Sequence, residues 1–171
     1  MNERQGLITM KGNPFTLIGN VPKIGELAPD FEVINNELQP VKLSSFKGKV
    51  CIISSVPSLD TPVCNMQTRR FNKEAVSLSS DTLILTISMD LPFAQVRWCG
   101  SSGVDKVITL SDYKNAEFGI NYGILIKELR LLARAVYIVD KEGILRFEHL
   151  VKEIANEPGY DEILKAVNQL K

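Results

Sequence analysis

Val50-Cys51-Ile52-Ile53-Ser54, followed after Ser55 and Val56 by Pro57-Ser58-Leu59-Asp60-Thr61-Pro62-Val63-Cys64, decides the fold. The first five residues are apolar or small without interruption, as in a strand covered on both faces, and Pro57 ends it. Thr61 stands as an N-cap with Pro62 at the first helical position. Val63, Met66, Phe71, Ala75 and Leu78 then recur at helical spacing, which predicts a helix over 62 to about 78.

Downstream, residues 83–87 read as a second buried strand, and Asp90-Leu91-Pro92 opens a helix reaching Trp98 or Cys99. A third strand over 107–110, a short helix over 115–122 and a fourth strand over 135–139 follow. Asp140-Lys141-Glu142-Gly143 turns this strand into a hairpin partner over 144–150. A last helix runs from Pro158 to the end, with Tyr160, Ile163, Leu164, Val167 and Leu170 on one face. Upstream, residues 7–10 and 15–18 predict an N-terminal β-hairpin around Lys11-Gly12-Asn13-Pro14, and 31–34 and 41–43 two short strands, with a turn over 44–48. Strand-helix-strand, antiparallel hairpin and closing helix is the order of a thioredoxin-like α/β fold, a central mixed sheet flanked by helices.

At 171 residues the chain predicts a single domain over 1–171, on a scale of roughly 150 residues per domain. Twenty Lys and Arg balance twenty Asp and Glu, and no cationic field for nucleic acid is visible. The longest uncharged stretch, 12–22, is too short and too broken by Gly and Pro to cross a bilayer, so no membrane span is expected. An acid at Glu3 and no signal-type apolar core predict a cytoplasmic protein. Three cysteines, an odd number, point to a reactive or buried thiol rather than a disulfide framework.

Cys64 falls in the first turn of its helix, where unpaired backbone N–H groups and the positive end of the dipole favour thiolate over thiol. Thr61 can turn its hydroxyl to the same spot, and Pro57 can fix the loop and keep water out. A well-capped helix carrying a buried cysteine is the plainer reading of the same residues. Cys51, mid-strand, reads as a small buried hydrophobe. His149, the single histidine, is the one candidate for a cysteine–histidine pair. With no short C-x2-C spacing, structural zinc and thioredoxin-type disulfide exchange are both disfavoured. Phe93, Trp98 and Tyr122 are candidates for an apolar substrate mouth, or for core.

The P-x3-T-x2-C pattern at 57–64 resembles the peroxidatic signature of peroxiredoxins. With Met89-Asp90-Leu91-Pro92-Phe93-Ala94-Gln95-Val96-Arg97-Trp98-Cys99-Gly100, Ile108-Thr109-Leu110-Ser111-Asp112 and Ala133-Arg134-Ala135-Val136, nearly the whole chain is similar to the bacterial thiol peroxidase branch. The resemblance implies Cys64 as peroxidatic nucleophile, with Thr61 hydrogen-bonding the peroxide oxygens, Pro57 shielding the sulfur and Arg134 supplying charge. It implies Cys99 as resolving cysteine, forming an intrachain disulfide with Cys64 that a thioredoxin-type donor reduces. The substrate is then hydrogen peroxide or an organic hydroperoxide, no metal, haem or flavin is needed, and a homodimer packed near the active-site loops is expected. Cysteines on two intact helices stand too far apart for a disulfide, so partial unwinding is expected in each cycle.

Ile126-Lys127-Glu128-Leu129-Arg130-Leu131-Leu132 lacks the glycine often found in the family's loop at this place, and Arg130 rivals Arg134 for the cationic role. The match at 133–136 favours Arg134. From its position alone, at the start of an apolar strand, Arg134 also reads as an edge residue salt-bridged at the surface. A redox sensor using the same cysteines, and a purely structural thioredoxin-like module, are the rival functions.

Overall fold

The computed structural model describes residues 1–170. Strands β1 (Glu3–Met10) and β2 (Asn13–Ile18) form the expected hairpin. Its turn is tighter than the sequence suggests: Lys11 and Gly12 both take positive φ, the geometry of a two-residue connection whose twist matches the strands. β3 (Glu32–Ile34) and β4 (Pro40–Lys42) follow, and 43–46 wind into a 3-10 turn. The alternation at the heart of the chain is β5 (Val50–Ser55), α1 (Pro62–Ala75), β6 (Thr82–Ser88), α2 (Pro92–Ser102) and β7 (Ile108–Ser111). After α3 (Glu117–Asn121) and β8 (Leu125–Ile126) come the hairpin β9 (Ala135–Val139) and β10 (Leu145–Leu150), then α4 (Tyr160–Asn168).

Seven strands make a mixed sheet in the order β10-β9-β5-β6-β7-β3-β4, with β5, β6 and β7 parallel and the other pairs antiparallel. Side chains alternate across it. Val50, Ile52, Ile84, Val136 and Ile138 pack with Phe71 of α1, Trp98 of α2 and Ile163 of α4. Cys51, Ile53, Leu85, Ile87, Tyr137 and Val139 face the opposite layer, built from Phe118 of α3 and the small sheet β1-β2-β8. Burial of β5 on both faces explains its unbroken apolar run.

Helix ends depart from the sequence reading by a few residues. α1 stops at Ala75 and leaves Val76 exposed rather than continuing to 78. α2 runs past Cys99 to Ser102, where Gly103 takes the left-handed conformation that closes a helix. α3 is shorter than 115–122 because Ala116, at φ 52, breaks the helical path. β8 was not expected at all; two residues carry no periodicity, and it exists because Leu125 and Ile126 pair with β2.

Candidate active site

β5 delivers the chain through a buried Pro57 into the loop before α1, and Thr61 begins the helix in extended geometry. The Thr61 hydroxyl accepts from Cys64 N–H at 3.3 Å and donates to the Ser58 carbonyl at 3.2 Å. This N-cap fixes the first turn and with it the Cys64 side chain, which is fully buried.

Arg134 meets Cys64 from the other side of the site. It is the residue before β9, an interior strand, and it is 1% exposed, which overturns the surface-edge reading. Its three nitrogens are committed: Nε donates to the Ile154 carbonyl at 2.9 Å, Nη1 to Gln67 Oε1 at 2.6 Å and Nη2 to Cys64 Sγ at 3.2 Å. Both oxygen partners are neutral. A guanidinium this deep is costly without an opposite charge, and of its three partners only the sulfur can take one. The arrangement sets one donor of a buried guanidinium directly on the Cys64 sulfur.

Gln67 was missed as a site residue in the sequence. It lies one turn beyond Cys64 on α1, wholly buried, and its amide Nε2 donates to Ser54 Oγ at 2.7 Å while Oε1 holds Arg134. A glutamine in helical register with Cys64, Phe71 and Ala75 was the available signal, since a polar group on that face needs partners.

Cys99 is half-buried on α2, with Sγ 3.6 Å from Thr109 Oγ1 of β7, whose hydroxyl also meets the Asn36 amide. Together with Val107 and Thr109 it lines a groove of about 490 Å³. Cys64 and Cys99 are both free thiols, on neighbouring helices against the same apolar cluster.

Arg130 sits exposed at the tip of the turn after β8, at φ 54, while Arg134 reaches the sulfur. Ile126-Leu132 folds back on itself, pinned by the Leu125–Leu132 bridge and by Glu128 accepting from Thr16 N–H. Trp98 is core, and Tyr122 packs against Phe118 and Tyr137 in the opposite layer. Of the three aromatics considered for a substrate mouth, only Phe93 is exposed. His149 lies on β10 in a groove with Arg70 and Tyr160, and is not among the hydrogen-bond partners of the Cys64 sulfur. Cys51 is 2% exposed on the far face of β5, where burial pushes its thiol up to about 11.

The Redoxin family model matches residues 23–164. The thiol peroxidase of Bacillus subtilis is 52% identical over 163 residues, covering 95% of this chain and 97% of its own, and that of Oceanobacillus iheyensis is 51% identical over 162 residues, covering 95% and 98%. A peroxiredoxin-like protein from Aquifex aeolicus has a crystal structure that superposes with a TM-score of 0.90 at 40% identity, covering 98% of this chain and 99% of its own. A thiol peroxidase from Chromobacterium violaceum, 19% identical, shares the fold at a TM-score of 0.84 over 95% of each chain. A thioredoxin-like sheet presenting a cysteine at a helix start defines a class, and the chain belongs to the Redoxin family. Within that family its end-to-end similarity is to the thiol peroxidases, and it is an enzyme of that peroxiredoxin branch.

Proposed function

We propose that the chain reduces hydrogen peroxide and organic hydroperoxides through Cys64, in one thioredoxin-like domain, and is recycled through Cys99. The observation that carries this reading is the buried Arg134, whose charge has no carboxylate among its hydrogen-bond partners and a thiol at 3.2 Å. The Cys64 thiolate attacks one peroxide oxygen, the O–O bond breaks, and the departing alkoxide or hydroxide takes a proton. Arg134, the Thr61 hydroxyl and the N–H groups of the first turn of α1 stabilise the charge that grows on the departing oxygen. Pro57 closes the loop against water. The Cys99 thiolate then displaces hydroxide from the Cys64 sulfenic acid to give the disulfide, and a thioredoxin-type dithiol returns both thiols at the expense of its own oxidation.

A homodimer and a cytoplasmic setting belong to the same reading. Exposed Leu91, Phe93 and Val96 around the start of α2, together with exposed Met66 on α1, offer apolar surface near the active-site loops. No helix among the described residues is long and apolar enough to cross a membrane. Anaerobic titration of the reduced protein with peroxide tests the cycle: one equivalent should consume two thiols, and peptide mapping should join Cys64 to Cys99. Thiols that survive excess peroxide, or a disulfide through Cys51, would overturn it. Sustained turnover with thioredoxin as sole donor separates the peroxidase from a redox sensor.

A further inference from the structure

The loop before Cys64 is tied to the loop before the Cys99 helix by one carboxylate. Asp90 Oδ1 accepts from Ser58 Oγ at 2.7 Å, and Oδ2 accepts from Leu59 N–H at 2.8 Å and from Ser88 Oγ at 2.7 Å. On the Cys64 side, the Ser58 carbonyl receives the Thr61 hydroxyl, and that hydroxyl caps Cys64 N–H. On the Cys99 side, Ser88 Oγ also accepts from Gln95 Nε2 at 3.0 Å, and Gln95 is a buried residue of α2 one turn before Cys99. An unbroken chain of hydrogen bonds and short backbone steps therefore links the N-cap of one cysteine to the helix that carries the other. Asp90 is its node, two residues before Pro92 opens α2. Charge-assisted bonds of this kind are the strong ones in a protein, and all three break together if the carboxylate is removed.

Resting on the peroxidase reading above, we propose that Asp90 is a positioning residue for both cysteines. Its carboxylate holds the Cys64 loop in the geometry that reacts with peroxide and resists the opening that lets Cys99 reach Cys64. Asp90 thereby sets the competition between two fates of the sulfenic acid. In one, the Cys99 thiolate forms the S–S bond and hydroxide leaves. In the other, the sulfenate attacks a second hydroperoxide, the O–O bond breaks, the sulfur gains an oxygen as sulfinate, and the peroxide leaves as alcohol or water. The second fate needs the closed loop and the first needs the open one.

Rapid mixing of reduced Asp90→Ala, Asp90→Asn and Ser58→Ala proteins with graded peroxide, read by mass on the Cys64 peptide, tests this. Asp90→Ala should form sulfenate about tenfold more slowly, because the nucleophile is no longer held in place. It should close the disulfide faster and yield a several-fold smaller share of sulfinate per turnover. Asp90→Asn, which keeps one acceptor, and Ser58→Ala, which removes the bond to Asp90 together with the one Ser58 Oγ accepts from Asp60 N–H, should shift the share the same way by less. A purely structural role would slow both steps and leave the share unchanged, and that result overturns the proposal. If Asp90→Ala does not fold, an unchanged share in the two milder variants overturns it equally. Parent protein that forms no sulfenate at Cys64 would instead bring down the peroxidase reading itself.

Discussion

Cys64 and Cys51 are hidden from solvent to the same degree, at 0% and 2% exposure, and stand on opposite faces of the same sheet layer. Around Cys64 lie a helix start, a capping hydroxyl and a guanidinium nitrogen at 3.2 Å. Around Cys51 lie Val139, Leu43 and Ala28, beside a cavity of about 250 Å³ whose Lys49 is turned to Asp81 at 3.2 Å, and burial pushes its thiol up to about 11. Burial in apolar surroundings penalises the thiolate, whereas burial beside oriented donors and a cation rewards it. What separates the two thiols is the partner set, not depth.

The largest break in that comparison is Cys64→Ser, which should abolish peroxide consumption because a serine hydroxyl stays protonated at neutral pH, while Cys51→Ser should consume peroxide at the parent rate. Activity surviving in the first variant, or lost in the second, would exchange the roles of the two thiols. In the folded parent, Cys51 should also resist alkylation until the pH approaches 11.

Removing the cation comes next. Arg134→Ala should slow sulfenate formation by roughly one hundredfold or more, the usual loss when a donor aimed at growing charge is deleted. Arg130→Ala, at the exposed turn, should react as the parent does. Stopped-flow rates for the two variants decide between them, and a loss in Arg130→Ala alone would move the cationic role there.

Gln67→Glu sharpens the contrast without removing any atom of the cation. A carboxylate at the position of Oε1, 2.6 Å from Nη1, would compete with the sulfur for the same guanidinium charge. Sulfenate formation at neutral pH should fall by about tenfold, the effect of roughly 1.4 kcal/mol. An unchanged rate would show that Arg134 acts through hydrogen-bond geometry rather than net charge.

The smallest effect lies behind Arg134. Glu153, beside the Ile154 carbonyl that holds Nε, accepts from the N–H groups of Lys11, Gly12 and Ala155 and from the Thr9 hydroxyl, and these bonds hold it down to about 2. A carboxyl depressed in the fold stabilises it above the ordinary carboxylate range and loses that contribution as pH falls from about 4.5 through 2. Acid unfolding of the parent and Glu153→Gln should therefore diverge above pH 4.5 and converge towards pH 2. Curves that stay parallel across that window would remove Glu153 from the support of the site.

Much of this molecule was legible in its sequence. The unbroken run at Val50 announced a strand buried on both faces, Thr61-Pro62 announced the helix start, and together they placed Cys64 in the first turn of α1. These are local signals, carried by periodicity and by residues whose dihedral and capping preferences act within one turn. The two-residue β8 lay outside their reach, because its only cause is a partner strand far away in sequence.

By itself, then, the sequence determined the order of elements and the place of Cys64 at the start of a helix. The tertiary structure alone decided that Arg134, 70 residues from Cys64, points its charge at the sulfur, that Gln67 and Ser54 hold it there, and that Asp90 joins the two cysteine loops. The physical reason is that a charge or a hydrogen bond acts through space over a few ångströms. Only the packing of β9 beside β5, and of α2 beside α1, brings those groups within that distance.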